Sequence, residues 1–119
     1  MNASLDQEDW KQLEHELVTD FDRRIASIPV KLCAPFHEAA RSLEAELIAY
    51  YRVAARLARG EEDLRRVASL WGSMTQICDT AARRLSNLVQ AQPDCGTESY
   101  HDRILDLRNK CQRLHQMHS

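Results

Sequence analysis

Hydrophobic positions along this 119-residue chain recur at alternating steps of three and four. They form four runs. The first is Trp10, Leu13, Leu17, Phe21, Ile25 and Ile28; the second is Phe36, Ala40, Leu43, Leu47, Tyr50, Ala54 and Leu57. The third runs Leu64, Val67, Trp71, Met74, Cys78, Ala81, Leu85 and Leu88, and the fourth Tyr100, Ile104, Leu107, Cys111 and Leu114. Such spacing gathers side chains on one face of a helix, whereas a half-buried strand alternates every second residue. No stretch shows the strand pattern, so the chain reads as all-α.

The breaks between runs have their own chemistry. Ser4 to Gln7, "SLDQ", has the form of a capping box that starts a helix near Leu5. "IPVKLCAP" interrupts the pattern between Pro29 and Pro35, because proline lacks an N–H donor and disfavours helix in the residue before it. Pro35 is acceptable in a first turn. Gly60 suits a left-handed helix end, and Glu61, Glu62 and Asp63 then place negative charge at the positive end of the next helix. "QPDCGT" separates the last two runs. The expected helices are 5–28, 35–59, 61–91 and 98–117. Gly72 falls inside the third, where it costs about 1 kcal/mol relative to alanine, so close packing or a bend is expected there.

Short connections make consecutive helices antiparallel neighbours, which predicts a single-domain up-down-up-down four-helix bundle spanning 1–119. Residues equidistant from a turn then share a layer. Phe21, Leu43, Cys78 and Cys111 form one such layer. Leu70, Ile77 and Val89 lie off the main stripe of the third helix; they predict either wider burial or a seam for a partner.

Composition adds limits. The chain is 44% hydrophobic and 29% charged, with 3 Gly, 3 Pro and a net charge of -2. No global field draws it to nucleic acid, whose binding is unlikely on this count. The acidic amino-terminal segment lacks the basic start and apolar run of a secretory leader, and no apolar stretch reaches the ~18 residues of a membrane span. The expectation is a soluble cytoplasmic protein without membrane contact, its cysteines Cys33, Cys78, Cys95 and Cys111 kept as thiols. Thirteen Arg against three Lys, with many alanines, suits a GC-rich bacterial genome.

Candidate chemistry is sparse. Cys111, His115 and His118 share one helical side, but the layering points Cys111 into the core and leaves no fourth metal ligand. The first and third turns emerge at the same end of an up-down bundle. There Cys33 with His37, and Cys95 with His101, can make a Cys2His2 zinc site, or the two cysteines can form a disulfide under oxidation. Glu98 and His101 give a single E-x-x-H, without the second that a di-iron bundle requires. Around His37, "FHEAARS" faintly looks like a phosphotransfer site, but its basic residue, Arg41, lies four positions away and the expected glycine is missing. No phosphate loop or nucleophile elbow occurs. Arg52, Arg56 and Arg59 can line one side of the second helix as an anion or acidic-partner contact, with pairing to neighbouring acidic helices as the simpler alternative.

These features point to a non-catalytic bundle that acts by protein–protein interaction or self-association, with Leu70, Ile77 and Val89 as the contact surface and no cofactor. The alternative is a metal- or redox-responsive bundle that uses Cys33, His37, Cys95 and His101, with zinc as its metal.

Overall fold

The computed structural model describes residues 5–119. Four helices follow in order: α1 (Gln7–Ala26), α2 (Cys33–Gly60), α3 (Leu64–Ala91) and α4 (Glu98–His118), with a single 3-10 turn at Pro93–Cys95. They pack as an antiparallel up-down-up-down bundle. α2 and α4 therefore run parallel, and Arg103 meets Glu44 while Lys110 lies over Tyr51, contacts that share one offset along the two helices.

The helix starts are set by local side-chain chemistry. The capping box that opens α1 is made by Asp6 and Asp9, each accepting from the other's backbone N–H, so the helix begins two residues later than expected. Ser4, the cap expected from the sequence, lies outside the described residues. Asp63 caps α3 by accepting from the Arg65 N–H, which pushes Glu61 and Glu62 out of the helix. At the end of α2 the chain passes from Gly60 into an extended Glu61 (φ -102, ψ 124), without the left-handed residue expected there. The left-handed glycine is Gly96 (φ 70), which reverses the chain between the 3-10 turn and α4.

The core is continuous from Trp10 at one end to Phe36 and Cys95 at the other. Both halves of the expected layer are in the core: Phe21 and Leu43 are buried side by side between α1 and α2, and Cys78 and Cys111 are fully enclosed and paired through their sulfurs. Its cross-section is not square. α3 packs on all three other helices and α2 does the same, whereas α1 and α4 make no close backbone approach among the described residues. The molecule is accordingly a flattened rod of 51 × 26 × 16 Å. α3 carries twelve buried residues against three in α1 and two in α4.

That central position corrects the expected contact surface. Ile77 is 1% exposed and belongs to the core, Leu70 packs against it and Val89 is half-buried. Ile77 is used inside the molecule because α3 has helices on three sides.

Candidate functional site

The bundle end that holds the α1–α2 loop and the α3–α4 connection brings Cys33 and Cys95 together as a disulfide, with their Cα atoms 4.9 Å apart across a sequence separation of 62. Cys33 is the first residue of α2 and Cys95 the last of the 3-10 turn, so the bond ties α2 to the start of α4. These two are therefore not the free thiols expected. Cys95 is buried and Cys33 half-buried, and the adjoining loop exposes Val30 (70%) and Leu32 (51%). His37 lies one turn into α2, its ring against Gly96 and edge-on to Tyr100.

His101 does not join them. It lines a groove of about 590 Å³ between α1 and α4, with Glu14 on the opposite wall and Thr80 and Arg83 on the α3 floor. The Thr80 hydroxyl donates to Glu14 (2.8 Å), and Arg83 donates to Thr80 (3.3 Å). This groove is the open flank left where α1 and α4 fail to meet. Among the described residues no three His, Cys, Asp or Glu side chains converge as a metal-binding group.

The carboxy-terminal cysteine and His115 serve packing. Cys78 and Cys111 form a buried thiol pair, and the Cys78 thiol is pushed up by its hydrogen bond to Cys111 and then by burial. The His115 Nδ1 lies 2.7 Å from the Ala68 carbonyl, which can only accept, so this nitrogen carries the proton. The imidazole covers Gly72, where an added Cβ would stand 3.1 Å from the ring. Close packing is thus the reason for a glycine in mid-helix.

Charge is separated across the surface. Arg52, Arg56 and Arg59 are exposed on α2, and among the described residues none has a carboxylate within ion-pair distance. Lys110 extends this basic face from α4, seated 4.9 Å over the Tyr51 ring, with exposed Arg113 one turn on. The opposite flank of α2 meets α1 in an acidic seam of Glu16, Asp20 and Glu46. Burial and then Asp20 raise the Glu46 pKa, while burial followed by Glu46, Glu16 and Asp20 pushes the Tyr50 phenol up to about 12. Arg23 and Arg24 both approach Asp20, so the seam is only partly neutralised.

A scan against family models, a search of curated proteins and a search of solved structures each found no match to this chain. The residues alone carry the functional reading.

Periodicity marked Arg52, Arg56 and Arg59 but missed Lys110 and Arg113, because they belong to another helix and only the register of α4 on α2 places them nearby. It likewise grouped His101 with the cysteines, since both lie near one turn; the helical rotation from Tyr100 to His101 sends the second ring to another face.

Proposed function

We propose that the chain is a non-catalytic protein-binding bundle whose contact surface is the arginine face of α2, continued by Lys110 on α4, and whose partner presents carboxylates. The observation that carries this reading is the row Arg52, Arg56 and Arg59 without an acidic partner among the described residues. Arginine suits such a role because its planar fork holds a carboxylate through two hydrogen bonds. The side chains on this face are charged, so recognition here is electrostatic and weakens with salt. A second copy can serve as partner through the seam of Glu16, Asp20 and Glu46; basic flank on acidic seam is a heterologous contact. A cytoplasmic location is part of the reading, and there the Cys33–Cys95 bond forms only on oxidation.

Sedimentation velocity at low and high salt, together with cross-linking in the cells that make the protein, tests it. Wild type should associate, with itself or with a captured protein, in a salt-sensitive way, and the triple variant R52E/R56E/R59E should not. Unchanged association by the variant sinks the reading.

The disulfide favours a second reading, a redox-responsive bundle. In a reducing compartment a dithiol donates two electrons and two protons to the Cys33–Cys95 bond, is itself oxidised to a disulfide, and leaves two thiols that free the start of α4. The zinc version of this reading requires reduction to bring its donors together, since among the described residues Cys33, His37, Cys95 and His101 do not converge as a metal-binding group and His101 lines the groove. Elemental analysis of the reduced protein and of C33S/C95S decides between the versions, since zinc should be present in the first and absent from the second.

A further inference from the structure

The Cys33–Cys95 bond joins the starts of two parallel helices. Cys33 is the first residue of α2, and Cys95 stands two residues before Thr97, the N-cap of α4. Asp6 and Asp63 cap α1 and α3, but among the described residues neither Leu32 nor Thr97 caps its helix through a side chain. The first turn of α2 also lacks an acidic residue, and that of α4 has Glu98 alone. Uncapped backbone N–H groups give a helix start partial positive charge, which stabilises a thiolate formed beside it. Reduction of this bond creates thiolates at two such starts, with the stronger stabilisation at Cys33. A disulfide whose reduced form is stabilised in this way is an oxidant rather than an inert staple.

The two sulfurs differ in access. Cys95 is 5% exposed and Cys33 half-buried, so an incoming thiolate meets the bond from the Cys33 end. The chain leading into Cys33 exposes Val30 (70%), Lys31 and Leu32 (51%). Two large aliphatic side chains held in water next to a reactive bond offer contact to a polypeptide, which a small thiol cannot use. In the cytoplasm proposed above, a bond of this kind is transient and serves exchange or sensing.

We propose that Cys33–Cys95 is a thiol–disulfide exchange centre that oxidises dithiols of polypeptide chains. One substrate thiolate attacks the Cys33 sulfur; the S–S bond breaks, and Cys95 leaves with its electron pair. The second substrate thiolate then attacks the substrate sulfur of the mixed disulfide and releases Cys33. The substrate ends as a disulfide, and the two protein thiolates take up the two protons that its thiols gave up. A small disulfide such as oxidised glutathione restores the bond by the reverse exchange. This activity rests on the redox-responsive reading, since the bond must be reducible, and adds to it a substrate class and a direction of attack.

The oxidised full-length protein, mixed at neutral pH with a reduced synthetic peptide in which two alanines separate two cysteines and leucines flank them, supplies the test. Mass spectrometry follows the transfer of two hydrogens. The protein should oxidise the peptide at least about tenfold faster than oxidised glutathione does at equal concentration. Acid quenching should trap the peptide on the Cys33 fragment and not on that of Cys95. Val30→Ser should slow the peptide reaction about threefold, the loss of one partly buried aliphatic contact, while reduction by dithiothreitol keeps its rate. Leu32→Asp, which supplies α2 with a cap and a negative charge, should shift the equilibrium with glutathione about threefold towards the disulfide. Both positions are exposed, so the fold survives these changes. A peptide rate no greater than that of oxidised glutathione, an adduct on Cys95, or an unmoved equilibrium in Leu32→Asp overturns the proposal. So does a Val30→Ser rate equal to that of wild type. Reduction by dithiothreitol that frees α4 without any preference for the peptide overturns the exchange activity and leaves the redox-responsive reading standing.

Discussion

At the scale of single residues, Gly72 and His115 form a matched pair. An alanine at 72 would gain about 1 kcal/mol of helix propensity, but its Cβ would press on a ring anchored to the Ala68 carbonyl. The ring cannot retreat without losing that bond, so Gly72→Ala should destabilise the protein by about 1 kcal/mol in urea denaturation. In a His115→Ala background the same substitution should stabilise by about 0.5–1 kcal/mol, because only the propensity remains. Stabilisation of the wild type by Gly72→Ala would show that the ring is not held. Cys78 and Cys111 yield an equally direct check. Both are 0% exposed, so a reagent in solution reaches neither sulfur while the bundle is folded. An aromatic disulfide reagent should therefore find no reactive thiol in the folded oxidised protein and two after unfolding. Reaction in the folded state would mean that the α3–α4 seam opens at this layer.

Between elements, few polar ties cross the bundle, and each joins a particular pair of helices. Thr80 holds Glu14 across the α1–α3 seam, so Thr80→Val should lower stability by about 1 kcal/mol, detectable as a shift of the urea midpoint at constant slope. The disulfide closes a loop of 62 residues in sequence separation, and its removal in C33S/C95S should cost about 2–4 kcal/mol while helical circular dichroism persists at 25 °C. A variant as stable as the parent would mean that the bond constrains little beyond what α2 and the 3-10 turn already hold. The helices themselves were legible in the sequence because each buries one stripe and ends at Pro, Gly or acidic caps. Their ends moved by two or three residues where capping chemistry competes, as at Asp6 against Ser4 and Asp63 against Glu61. The short 3-10 turn at Pro93–Cys95 was not legible, since three residues carry no periodicity.

Over the whole molecule, the layer pairing that follows from short turns survives, yet the sequence could not distinguish a square cross-section from a flattened one. Stripe width is the relevant signal, and it was ambiguous in α3: Ile77 off the main stripe fits a third buried side as well as an outer seam. With α3 central and α1 at an edge, stability should be unequally distributed. α1 has three buried residues, is held laterally by Glu14–Thr80 and the 3.6 Å Asp22–Arg84 pair, and has no covalent tie to its neighbours. α4 has only two buried residues but begins next to the disulfide and makes the 2.7 Å Arg108–Asp79 and Arg103–Glu44 pairs. Native-state hydrogen exchange should consequently show α3 amides exchanging only through global unfolding and α1 amides through a smaller opening of lower free energy. Reduction of Cys33–Cys95 should bring α4 down towards α1 and leave the α3 core as the most protected segment. A single exchange free energy for all four helices, unchanged by reduction, would show a fully cooperative bundle and remove the basis for disulfide control of α4.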